Sequence, residues 1–140
     1  MKVLFVCRAN AGRSQMAEAF YNFHIGSKGA TSAGLDLKHS TMGDDLSLPD
    51  SVIEVMNEIG HDLSSLRRKE LTEQMVNDAD IVVVTSDYPL PLYLKGSNKL
   101  IRWDEIPDAK HTPMDFHRKV RDMLKKRVLE LIEQTKTTSK

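Results

Sequence analysis

The sequence predicts a single α/β domain built on a parallel sheet with helices on both faces. Strand-like and helix-like segments alternate along the chain, the pattern of a parallel sheet wrapped by helices. The runs at 3–6, 81–85 and 99–103 are largely apolar rather than alternating, as parallel strands buried on both faces are. At 140 residues, with no internal repeat, linker or low-complexity stretch, the chain reads as one domain over 1–140. A domain of this size buries about 68–70% of its unfolded surface without covalent staples.

The elements follow in order. Val3–Val6 reads as the first strand. A helix then opens near Arg13-Ser14, with Ala17, Phe20 and Phe23/His24 as its apolar stripe. Ala30–Ala33 is a weaker strand. Val52, Ile53, Met56 and Ile59 recur at helical spacing, with Pro49 near the start and Gly60 just past the end. A short helix is expected from Thr72, then strands at Ile81–Thr85 and Lys99–Trp103. Thr112-Pro113-Met114-Asp115 resembles a capping box with proline at the first helical position. Phe116, Val120, Met123, Leu124, Val128, Leu131 and Ile132 form the stripe of the helix that follows. The polar tail 135–140 is expected to fray.

Lys+Arg and Asp+Glu balance at 20 each, so no net field favours nucleic acid or an anionic membrane, and any affinity for anions has to be local. The lone cysteine excludes an internal disulfide, and no Cys/His spacing suggests a metal. No run approaches the length of a signal-peptide core or a membrane span. The expectation is a soluble cytoplasmic protein with a reduced thiol, without metal or cofactor, and without nucleic-acid or membrane partners.

The chemistry concentrates at Cys7. It ends the first strand, and Arg8, Ala9, Asn10, Ala11 and Gly12 separate it from Arg13-Ser14 at the start of a helix. In open parallel sheets, ligands bind at the carboxyl ends of strands near helix N-termini. A loop of small residues with Asn and Gly can turn its N–H groups onto an oxyanion, and Arg13 adds a fork for two oxygens. The same surroundings favour the thiolate form of Cys7. A lone cysteine at a strand end is otherwise an inert core residue; Arg13 and Ser14 at these offsets set this one apart. Laid against the nucleotide-binding pattern G-x-x-x-x-G-K-[ST], the first glycine falls on Cys7 and the lysine on Arg13. A nucleophile stands where a phosphate cradle needs glycine.

At these residues the sequence resembles the low-molecular-weight protein-tyrosine phosphatase family. The signature C-x5-R-S is met by Cys7, Arg13 and Ser14, and the family's loop asparagine by Asn10. "TSAG" at 31–34, "VMNEIGHDLSS" at 55–65, "DADIVVV" at 78–84 and the 103–109 region extend the likeness over nearly the whole chain. The resemblance implies a four-stranded parallel sheet in the order 2-1-3-4, a cysteinyl-phosphate intermediate and no metal. The implied phosphate-binding residues are Arg8, Ala9, Asn10, Ala11, Gly12, Arg13 and Ser14, with Asn10 holding the loop's shape and Ser14 keeping Cys7 ionised. The family's general acid sits in a late Asp-Pro loop, which selects Asp108, with Asp104 second. Cys7, Arg13 and Asp108 are thus the expected catalytic set.

Three departures stand out. Ala109 replaces the proline after the acid, and Gly12 occupies the place of a second loop cysteine in vertebrate-type members. Ala109-Lys110-His111 stands where tyrosines often stack on a phosphotyrosine ring. "NAGRSQMAEAF" is closer to the arsenate-reductase branch of the same fold. The expected substrate is a phosphorylated protein or small phosphate monoester, and the loop is expected to bind phosphate or arsenate. The alternatives are an arsenate reductase using an external thiol and a non-catalytic oxyanion-binding module.

Elsewhere, His24 reads as a boundary core residue and His39, His61, His111 and His117 as surface. Arg67-Arg68-Lys69 reads as a solvated basic face. Tyr88 and Tyr93 read as part of a packed loop, and Trp103 as core or substrate contact.

Overall fold

The computed structural model describes residues 1–40 and 42–138. Four strands, β1 (Val3–Cys7), β2 (Ala30–Gly34), β3 (Ile81–Val84) and β4 (Leu100–Arg102), form one parallel sheet in the order β2-β1-β3-β4. This is the order the resemblance implied. β1 is paired on both sides, with Val3 opposite Ala30 and Ile81, and all five of its residues are buried. That double burial explains the unbroken apolar run.

Each face of the sheet carries its own core. Val3, Phe5 and Val83 point to the side covered by α1 (Arg13–Ile25), α2 (Asp50–Asn57) and α4 (Met114–Thr138). Leu4, Val6, Val82 and Val84 point to the other, under α3 (Glu73–Asp78) and Leu94. The Phe5 ring meets Tyr21 edge-on at 6.2 Å and Trp103 at 5.8 Å, which places Trp103 in the core. α2 and α4 are clasped by Glu58, which accepts from Arg118 at 2.7 Å and Arg121 at 2.9 Å. Thr72 caps α3 as expected, accepting from the Met75 N–H at 3.3 Å. Among the described residues no helix is long and apolar enough to cross a membrane.

Several local expectations are corrected. α4 extends to Thr138, into the polar tail expected to fray, and positions 139–140 lie outside the described residues. The capping box does not form: the helix begins at Met114, and the Thr112 hydroxyl donates back to the Ala109 carbonyl. Phe23 and His24 are exposed, since the last turn of α1 runs beyond the layer it packs on; Ile59 likewise sits outside the core.

Candidate active site

β1 delivers Cys7 to the carboxyl edge of the sheet, buried to 3% exposure. Cys7 and the next three residues are held by their carbonyls, each tied from outside the 8–11 stretch. Leu35 N–H donates to Cys7 O at 2.9 Å and Asp36 N–H to Arg8 O at 2.8 Å. Arg68 Nε donates to Ala9 O at 3.0 Å, and Gln15 Nε2 approaches Asn10 O at 3.4 Å. Every peptide bond here is trans, so each carbonyl and the following N–H point opposite ways. The N–H groups of Arg8, Ala9, Asn10 and Ala11 are thereby turned away from those ties, in the manner of an anion nest. The left-handed conformation falls on Asn10, at φ 53°, while Gly12 takes φ −138° and ψ −82°, outside the helical and extended regions. Asparagine tolerates the left-handed region.

Asn10 is fully buried and satisfied. Its Oδ1 accepts from Gln15 Nε2 at 2.9 Å and Lys69 N–H at 2.8 Å, which leaves Nδ2 to donate to Ser14 Oγ at 2.8 Å. Because an amide NH₂ only donates, Ser14 Oγ is the acceptor there and its own hydrogen is free for Cys7 Sγ, 2.9 Å away.

Arg13 opens α1. Its Nη1 donates to Thr85 O at 2.5 Å and Ile106 O at 3.1 Å, fixing the guanidinium plane and anchoring the 103–111 loop beside it. A cavity of about 290 Å³ lies over the site, lined by Cys7, Arg8, Ala9, Ala11, Gly12 and Arg13. Ser40, Met42, Pro49, Ser51 and Val52 form one wall, and Asp108, Ala109, Lys110, His111, His117 and Val120 the other. Asp108 and Cys7 therefore share one cavity. Asp104 is absent from the lining and pairs with Arg102 at 3.3 Å on the exposed side.

Two expectations about surrounding residues are corrected. Arg68 is not a solvated cation but is 2% exposed. The segment 66–71 runs along the end of β2, where Gly34 N–H donates to Lys69 O and Leu71 N–H to Gly34 O, both at 2.8 Å. Extended backbone alternates its side chains, so Arg67 faces solvent while Arg68 faces inward. His117 is buried at 6% and faces the cavity wall. The signal was present: His117 lies three residues before Val120 and seven before Leu124, on the buried stripe of α4, whereas Phe116 is only half-buried.

The tyrosines stay off the cavity. Tyr88 donates to Asp36 Oδ2 at 2.6 Å, and the Arg8 guanidinium lies 4.9 Å over its ring. That hydrogen bond, with those from His39, lowers the Asp36 carboxyl to about 2. Among the described residues no cluster of His, Cys, Asp and Glu could hold a metal ion.

A family profile described as low molecular weight phosphotyrosine protein phosphatase matches residues 2–140. The chain belongs to that family. A low molecular weight protein tyrosine phosphatase from T. tengcongensis superposes with a TM-score of 0.78 at 26% identity, covering 96% of this chain and 99% of that one. An arsenate reductase solved in its phosphate-binding state superposes at 0.77 with 28% identity, covering 96% and 98%. A Synechocystis sp. glutaredoxin arsenate reductase is 29% identical over 133 residues, 94% of this chain and 95% of its own length. As a low molecular weight phosphatase family member, the protein is a phosphatase-like enzyme, and relatives with both activities share its fold.

Proposed function

We propose that the protein hydrolyses phosphate monoesters, protein phosphotyrosine among them, through a cysteinyl-phosphate. The supporting observation is that Cys7, Arg8, Ala9, Ala11, Gly12, Arg13 and Asp108 line one cavity of about 290 Å³, room for an oxyanion and an organic leaving group. The Cys7 thiolate attacks phosphorus, forming the S–P bond as the ester P–O bond breaks. The leaving oxygen takes a proton from the Asp108 carboxyl. Water then attacks phosphorus, Asp108 takes its proton, and the S–P bond breaks to free phosphate and the thiolate. The loop amides and the Nε–Nη2 edge of Arg13 hold the developing charge on the equatorial oxygens.

The likeness to arsenate reductases gives a second reading. There, Cys7 forms an adduct with arsenate, and a thiol attacks its sulfur to release arsenite and leave a mixed disulfide. The electrons come from that thiol, which has to be external because the chain holds one cysteine. Aryl phosphate hydrolysis and arsenite formation, measured side by side, separate the two. The expected result is ready p-nitrophenyl phosphate turnover, no appreciable arsenite with thioredoxin, and at most slow formation with glutaredoxin or a small thiol. Arsenite at many turnovers per minute beside weak ester hydrolysis would reverse the ranking.

A further inference from the structure

We propose that Arg68 is a positioning residue of the oxyanion site: it aims the Asn10 N–H at the bound anion and fixes the cavity wall against the same loop. The proposal rests on the reading of the Cys7 loop as the anion seat.

The guanidinium has five N–H donors, and five hydrogen bonds leave it. Nε donates to Ala9 O, Nη1 to Gly43 O and Asp45 O, and Nη2 to Leu37 O at 3.4 Å and Ser40 Oγ at 2.7 Å. Three stretches of chain that share no strand ladder with one another are thus joined through one planar group. The bond to Ala9 matters most. Ala9 O and Asn10 N–H are opposite ends of one peptide plane, so pinning the carbonyl outward directs the N–H toward the anion. Arg8 and Ala9 N–H are aimed by main-chain donors of residues 35 and 36 and do not depend on Arg68.

The remaining bonds hold Leu37, Ser40, Gly43 and Asp45, and Ser40 and Met42 line the cavity. Burial lowers the affinity of Arg68 for its proton, while Asp45 and the Cys7 thiolate oppose that effect. Lysine cannot reproduce this arrangement, because an ammonium has three donors and no planar fork.

The test is a titration of ¹⁵N-labelled wild-type and Arg68→Lys protein with inorganic phosphate, with phosphate inhibition of ester hydrolysis measured alongside. In the wild type, the amide protons of Arg8, Ala9, Asn10 and Ala11 are expected to move downfield. In Arg68→Lys, the Asn10 response is expected to be lost while those of Arg8 and Ala9 persist, and the inhibition constant to rise about tenfold, or about 1.4 kcal/mol. An unchanged Asn10 response, or equal loss at all four amides, overturns the proposal. No response in the wild type sinks the phosphatase reading itself, a separate failure. Should Arg68→Lys not fold, the wild-type Arg68 Nε–H resonance decides: it is expected to shift as phosphate fills the loop, and indifference to saturating phosphate overturns the role.

Discussion

Two carboxylates in the 103–111 loop differ in what surrounds them. Asp108 receives the Lys110 N–H at 3.0 Å and borders the cavity above Cys7, whereas Asp104 leans on Arg102 outside it. Asp108→Asn is therefore expected to lower kcat on phenyl phosphate by about 10²–10⁴, the usual contribution of general acid catalysis. The loss is expected to be smaller with p-nitrophenyl phosphate, whose leaving group needs little protonation. Asp104→Asn giving that pattern in place of Asp108→Asn would show the assignment to be wrong. Cys7→Ser is expected to remove turnover and keep the circular dichroism spectrum, since serine fills the same space with a far weaker nucleophile; residual turnover near the wild-type rate would exclude Cys7 as nucleophile. Cys7, Asn10, Arg13 and Ser14 were legible in the sequence because they lie within eight residues and their spacing is itself the chemistry. Arg68 was not, because a run of three cations carries no mark of which one turns inward.

Between elements, the end of β2 meets the Cys7 loop at close range. A Cβ at Gly34 would lie 2.9 Å from both Arg8 O and Ala9 C, and 2.7 Å from Leu37 Cδ1. Two of those contacts are main chain and cannot swing aside. Gly34→Ala is expected to push the loop off its carbonyl ties and lower kcat/KM by about 10²-fold, the scale of a misplacement of about 1 Å. Steady-state kinetics on the folded variant check this, and an unchanged kcat/KM would mean the loop has slack that the backbone contacts deny. β1, β3 and the body of α4 could be read from apolar runs and periodicity. The fine structure of their ends could not: the Thr112 hydroxyl donates back to the Ala109 carbonyl and the helix begins at Met114, a local outcome that the capping-box pattern does not carry.

At the level of the whole molecule, proton binding at His61 and at Asp36 bears on stability in two separate windows. His61 packs edge-on to Phe20 at 5.4 Å and Phe23 at 4.9 Å. Burial first, then Lys125 and His24, hold its proton affinity below the usual 6.5. The unfolded chain therefore takes up that proton more readily, and stability is expected to fall as pH drops below about 6.5. Asp36 behaves as an acid with a depressed value, so its contribution is kept above 3.8 and lost only toward about 2. Urea unfolding between pH 7 and 5 is expected to show a declining midpoint in the wild type and a flatter one in His61→Gln; equal slopes would remove His61 from the account. The sheet order followed from family likeness, but the pairing of His61 with two rings did not, since it joins α1 to a turn about forty residues later. The carbonyl ties around Cys7 also have a consequence in time. A surface loop ordinarily exchanges its amide hydrogens quickly through local opening. Here Leu35, Asp36 and Lys69 lend their N–H groups to residues 7, 8 and 10, so freeing them means separating β1, β2 and the 67–69 segment. Those three hydrogens are expected to exchange with deuterium as slowly as the amides of β1, at the pace of global unfolding, so the reactive edge of this protein opens only when the rest does.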